Sequence, residues 1–253
     1  GEEEMTARLI TIPFSHYCEK ARWALDHAGV AYEEDGHLPA FSYAATLRAG
    51  AKRTVPALID GKTVIPDSTP IIAYADQHRP GSLYPANPQE REDVLGIEDE
   101  LDRNLGPATR RWAYFYLLDR KDLDHVLFAN VPRWEQVAFK ATRPAAVLFL
   151  KRGLKIDAEG AERSRQKIDE AFQNIGGLLG DGRRYLIGDR FTVADLTFAA
   201  LAGPILGPPQ YGATIPQLEA FPPAAREQLE TWRRSPPGQF ALRIYAEHRR
   251  QPR

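Results

Sequence analysis

Pro13-Phe14-Ser15-His16-Tyr17-Cys18-Glu19-Lys20-Ala21-Arg22-Trp23-Ala24-Leu25 is the stretch on which the reading of this chain turns. The residues before it, Arg8 to Ile12, are few, mostly apolar or β-branched and stopped by Pro13, which is the pattern of a buried strand. Within and after it, Tyr17, Ala21, Ala24, Leu25 and Ala28 recur at helical spacing, and Gly29 is the residue type that ends helices in the left-handed region. Strand therefore gives way to helix near Ser15, a preferred N-cap residue. Its hydroxyl is expected beside unsatisfied backbone N–H groups and the positive end of the helix dipole, a setting that can hold a thiolate.

Downstream, Val30 to Glu34 reads as a second strand, parallel to the first through a right-handed crossover. Pro39 to Ala49 reads as a weaker helix ended by Gly50. Two β-branched runs, Arg53 to Ile59 and Lys62 to Ile65, flank Asp60-Gly61, a strong signal for a tight antiparallel hairpin. A helix from Ile71 to Gln77 follows, with Ser68 or Thr69 as N-cap and Pro70 in its first turn. Residues 80–88, rich in Pro and Gly, read as a linker between a first domain, 1–79, and a second, 89–253. Beyond it the alternation of strands disappears. Helical patterns cover Glu90 to Leu118, Leu123 to Leu154, Ala158 to Leu179 and Val193 to Leu201, with two more between Phe221 and Arg249. Thr192-Val193-Ala194-Asp195 has the form of a capping box.

Composition narrows the function. With 33 basic and 34 acidic residues among 253, the chain presents no general field for nucleic acid or anionic lipid. No run reaches the ~20 apolar residues of a membrane span. The first residues, Gly1 to Met5, are acidic where a secretion signal is basic and then apolar, so export is not expected, and Met5 is read as the natural start. The single cysteine forbids an internal disulfide and suits a reducing cytoplasm. The six histidines show no metal-binding spacing, so no metal is expected.

Pro13-Phe14-Ser15-His16-Tyr17-Cys18-x-Lys20 with Leu25 resembles the entry to the thioredoxin fold of the cytosolic glutathione transferases, and the later stretches follow in the family's order. The resemblance implies an α/β thioredoxin-like domain followed by an all-α helical domain, with glutathione as co-substrate. It places Ser15 at the first active-site position and Cys18 at the second, less exposed position of the glutaredoxin pair. Val55-Pro56 matches the family's cis-proline corner. Asp67-Ser68 matches the pair that receives the γ-glutamyl end of glutathione, and Arg53 a position often used for its glycyl carboxylate. Phe14 joins these by adjacency to Ser15. The family also builds the pocket for a small apolar electrophile from the first helix of the second domain, where Arg110, Arg111, Trp112, Tyr114, Phe115 and Tyr116 cluster. Arg111, Trp112 and Phe115, with His16, are taken as its lining, and a homodimer is expected.

Each of these residues also has an ordinary structural reading. Asp67 and Ser68 can simply cap a helix, Arg53 can be a solvated surface residue, His16 a solvated first-turn residue, and Cys18 a small buried apolar side chain. Three functions follow. They are attack of the glutathione thiolate on an apolar electrophile, thiol reduction through Cys18, and a non-catalytic transferase-like protein. The section 119–156 is longer than the resemblance accounts for.

Overall fold

The first helix, α1 (His16–Ala28), ends as its sequence dictates: Gly29 adopts φ 73°, and the Val30 N–H donates back to the Leu25 carbonyl at 3.0 Å. Because Val30 is used in that cap, the second strand begins at Tyr32 and not at Val30. In the computed structural model, which describes residues 6–249, the remaining N-terminal elements are β1 (Ala7–Thr11), β2 (Tyr32–Gly36), α2 (Phe41–Arg48), β3 (Ala57–Asp60), β4 (Thr63–Pro66) and α3 (Ser68–His78). Met5 and its four predecessors lie outside the described residues. The sheet has the order β2-β1-β3-β4, with β1 parallel to β2 and antiparallel to β3, and β4 antiparallel to β3. Of the run from Arg53 to Ile59, only the part from Ala57 enters the sheet.

Residues 79–87 contain neither helix nor strand. Asn87 then caps α4 (Pro88–Leu117), accepting from the N–H groups of Gln89 and Glu90. The helical part continues with α5 (Asp124–Leu127), α6 (Arg133–Leu154), α7 (Ala158–Leu179), α8 (Val193–Leu206), α9 (Pro223–Arg234) and α10 (Pro236–His248). The expected helix from Leu123 to Leu154 is broken. Asn130 takes φ 57°, and Pro132 stands at the N-cap of α6, where the residue before a proline is driven out of the helical region. The capping box forms as expected, with the Asp195 carboxylate accepting the Thr192 N–H at 2.7 Å and the Leu186 N–H at 2.8 Å.

Nearly every residue of α8 is buried, as in a helix surrounded by others: α4, α1, α9 and α10 all pack against it. α1 packs against α3 on one side and α8 on the other, so even its charged residues are enclosed. Lys20 is fully buried and donates to Glu98 and Asp102 of α4 at 2.9 and 2.7 Å. Glu19, also fully buried, accepts from Arg22, from Arg249 and from the Gly212 N–H. The contacts with Glu98, Asp102, Gly212 and Arg249 join the first helix to distant parts of the second domain. Buried charges persist only when so partnered.

Candidate functional site

Strand register aligns three parts of the expected site. Ile10 of β1 is opposite Ala57 of β3, so the residues preceding Ala57, Val55-Pro56, run beside the turn that follows β1. Ala57 is also opposite Pro66 of β4, and one step further the Asp67 N–H donates to the Pro56 carbonyl at 2.9 Å. The β1–α1 turn, Val55-Pro56 and Asp67-Ser68 therefore form one row at one edge of the sheet. The Val55–Pro56 bond is cis. Asp67 is held at φ 71° and ψ 153°, a region that costs an ordinary side chain on the order of 1–3 kcal/mol. Ser68 is buried beneath it, while Arg53 and Asp67 are exposed.

Two helices start on this row. Ser15 is the N-cap of α1 and Asp67 the N-cap of α3; both are favoured capping types, and neither side chain makes a capping hydrogen bond. Asn87, Asp157 and Ser235, at the starts of α4, α7 and α10, all do. The two side chains on the row are thus not used to close their own helices.

The residues after Ser15 are firmly enclosed. His16 is 2% exposed: its Nε2–H donates to the Gly106 carbonyl of α4 at 2.7 Å, while its Nδ1 accepts the Tyr17 N–H. Burial holds the imidazole down at about 3; the Gly106 carbonyl opposes this, and the charges of Arg110 and Lys20 add to it. The solvated His16 expected from sequence is not found, because α4 passes directly over the turn. Cys18 is fully buried, and desolvation pushes its thiol up to about 11, partly offset by Arg22, the Ile12 backbone and the Ser15 side chain. A thiol so enclosed and pushed upward lacks the exposed thiolate that a nucleophilic cysteine needs, which argues against the expected catalytic place of Cys18.

Beside Ser15 opens an apolar cavity of about 110 Å³. Phe14, Ser15, His16 and Pro39 line it from the first domain, and Arg110, Ala113, Tyr114 and Leu117 from α4. The opposite wall comes from the section 119–156, through Leu123, Val126 and Leu127, then Phe139 and Leu150 of α6. That section thereby acquires a structural role. It is fastened to the first domain by Glu135, fully buried, which meets His37 Nδ1 at 2.5 Å and the Leu38 N–H at 2.9 Å. The Asn130 carbonyl approaches Gly36 so closely that a Cβ there would lie 2.3 Å from it.

The α4 residues assigned to the pocket from sequence are one face off. Arg111 turns away to the Leu154 carbonyl and Ser164 Oγ. Trp112 is core, packed on Phe221 and Trp232. Phe115 packs edge-on to Tyr116 and does not line the cavity. Arg110 and Tyr114 face inward instead, and Phe14 meets the Tyr114 ring edge-on at 6.3 Å. The signal was present: positions 110, 113, 114 and 117 share one helical face, while 112 and 116 share another. What could not be read was which face met the turn. Among the described residues, no group of His, Cys, Asp and Glu is arranged to hold a metal, and no helix is long and apolar enough to cross a membrane.

Comparison with known proteins agrees with this architecture. The family description "Glutathione S-transferase, N-terminal domain" matches residues 9–83, and "Glutathione S-transferase, C-terminal domain" matches residues 158–234. Together they span more than half of the chain, which belongs to the cytosolic glutathione S-transferase superfamily. No curated protein sequence matches significantly. Among solved structures, the beta-etherase LigF from Sphingobium sp. strain SYK-6 aligns with a TM-score of 0.60 at 19% identity, over 94% of this chain and 99% of that one. A glutathione S-transferase from Xanthobacter autotrophicus Py2 aligns at 0.62 and 15%, over 95% and 93%. A theta class enzyme from Xanthomonas axonopodis pv. citri, with glutathione bound, aligns at 0.55 and 20%, over 94% and 97%. At these identities the likeness is one of fold.

Proposed function

We propose that the protein is a glutathione transferase in which the row at the sheet edge holds glutathione and the adjoining cavity takes an apolar electrophile. The observation that carries this reading is the pair of unused N-caps. Ser15 and Asp67 are positioned at helix starts on the same row, and neither polar side chain makes a capping hydrogen bond. Ser68 and the α3 N-terminus suit a carboxylate, Asp67 the adjacent ammonium, Arg53 the other carboxylate, and Val55 offers backbone groups to the peptide between them. Ser15 then donates its hydroxyl to the glutathione sulfur and favours its thiolate. The thiolate attacks the electrophilic carbon of the acceptor, and the departing group leaves with the bonding pair.

The buried Cys18 speaks against thiol reduction through that residue. The reading includes a reducing cytoplasm, a division into domains near residues 80–88 and a two-fold homodimer. Light scattering tests the dimer directly: a mass near 28.4 kDa at micromolar concentration would exclude it. For glutathione itself the test is calorimetry with wild type and Ser68→Ala. Loss of a hydrogen bond to a charged group is expected to weaken binding roughly ten- to a hundredfold. No binding to the wild type would remove the proposal, and unchanged affinity in the variant would remove Ser68 from the site.

A further inference from the structure

The polar groups of the cavity are few and most are already engaged. His16 uses both ring nitrogens and is neutral. Arg120 is chelated by Asp122 and donates to the Ala220 carbonyl. Ser15 is assigned to the glutathione sulfur under the reading above, on which this inference rests. Among the described residues, Arg110 and the Tyr114 hydroxyl have no such partner, and of the two only Arg110 carries a charge. Its Nε is buried and has no hydrogen-bond partner, and among the described residues the side chain forms no ion pair. No carboxylate lines the cavity. A guanidinium remains charged at every accessible pH, and Arg110, half-buried at the cavity wall, would meet an anion there with less competition from water than on the open surface.

We propose that the acceptor carries a carboxylate on a ring-sized apolar body, and that Arg110 selects it by pairing with that carboxylate inside the cavity. Position supports the assignment. Arg110 lies one helical turn beyond Gly106, whose carbonyl anchors His16 next to Ser15, so the cation stands at the reacting end of the cavity. Leu117, Leu123, Leu127 and Phe139 leave the rest of the enclosure to the apolar body. Arginine suits a carboxylate because its planar fork makes two parallel hydrogen bonds. The carboxylates of glutathione have other candidates in the exposed Arg53 and the start of α3, on the row itself.

The test compares 4-chloro-3-nitrobenzoate with the neutral 4-chloro-3-nitrobenzamide in wild type, Arg110→Leu and Arg110→Lys. In the reaction the glutathione thiolate forms a sulfur–carbon bond at the chlorinated ring carbon, and chloride leaves with the electrons of the carbon–chlorine bond; nothing is oxidised. Each rate is divided by that of the same acceptor with glutathione alone. Wild type should then prefer the benzoate in kcat/KM by roughly ten- to a hundredfold, the value of a charge-assisted pair. Arg110→Leu should bring the ratio near one, chiefly through KM, and Arg110→Lys should retain part of it.

Equal use of both acceptors by the wild type overturns the proposal. So does an Arg110→Leu variant whose preference is unchanged while its affinity for glutathione falls, because Arg110 would then serve glutathione. If neither acceptor turns over and glutathione does not bind, the transferase reading fails by itself. Calorimetric binding of the two ring compounds to the same three proteins then decides the present proposal. Benzoate-selective binding lost in Arg110→Leu upholds it, and equal or absent binding refutes it.

Discussion

His16 and Gly106 are joined at 2.7 Å, so the residue immediately after Ser15 is tied to the middle of the longest helix of the second domain. The catalytic turn proposed here is thus fixed from outside its own domain. Only a neutral imidazole that donates from Nε2 and accepts at Nδ1 satisfies both contacts.

This arrangement predicts a pH dependence of stability. Folded His16 stays neutral down to about 3, whereas in the unfolded chain it titrates near 6.5. Between those values the unfolded chain binds more protons, so stability is present above pH 6.5 and declines as pH falls towards 3. From pH 7.5 to 5 the His16 contribution should fall by roughly 1–2 kcal/mol, within the limit of about 1.4 kcal/mol per pH unit for one proton. Asp195, held up at about 6 by burial, slopes the opposite way, so the quantity to measure is the difference between wild type and His16→Gln in urea unfolding at both pH values. Parallel losses in the two proteins would contradict the assignment.

Glycines of α4 and α6 should divide by their surroundings. A Cβ on Gly106 would lie 2.2 Å from the Tyr17 hydroxyl, whose bond to the Asp102 carbonyl keeps it there. Gly106→Ala is therefore expected to cost about 1–3 kcal/mol in spite of alanine's better helix propensity. Gly96 and Gly153 have nothing within 4 Å, and alanine at either should stabilise by about 0.5–1 kcal/mol. Urea midpoints moving in the same direction for all three would defeat this account.

Lys20 clamps α1 to α4 through two carboxylates, and Thr69 Oγ1 of α3 donates to Glu98 in the same cluster at 2.9 Å. Lys20→Met would leave Glu98 and Asp102 facing each other, for a loss on the order of 3–5 kcal/mol. Adding Glu98→Gln should recover part of it, which a double-mutant cycle would measure. No recovery would show that packing, not charge, holds the contact.

Glu135→Leu should release α6 from the first domain, because the Leu38 N–H and His37 both lose their buried acceptor. We expect a loss of roughly 1–3 kcal/mol and faster amide exchange in residues 128–150, with β1 and α8 unaffected. Uniform acceleration across the chain would argue against a local fastening.

The first domain was legible because its signals are local. Pro13 and Gly29 punctuate α1, and Asp60-Gly61 forms the hairpin turn. Three features depended on what packs across the chain. Pro132 and Asn130 split the expected long helix where it crosses Gly36. His16 became buried because α4 covers it. The cavity face of α4 could be narrowed to two alternatives by periodicity, yet the choice of Arg110 and Tyr114 over Trp112 and Tyr116 was made by α9, whose Trp232 claims Trp112 for the core. Buried Glu19 and Lys20 show the same limit, since their partners in the second domain lie up to 230 positions away.

Under the proposed function, Ser15 and not Cys18 favours the glutathione thiolate. Lowering a free thiol by about two pKa units takes about 2.7 kcal/mol, which a helix N-terminus at ~1 and a hydroxyl hydrogen bond to a charge at ~1.5–3 can supply together. The direct measurement is the ultraviolet thiolate absorbance of bound glutathione, titrated against pH in wild type, Ser15→Ala and Cys18→Ala. The thiol pKa is expected to rise by about one unit or more in Ser15→Ala and to stay unchanged in Cys18→Ala. An unchanged pKa in Ser15→Ala, with the thiolate lost in Cys18→Ala, would contradict it.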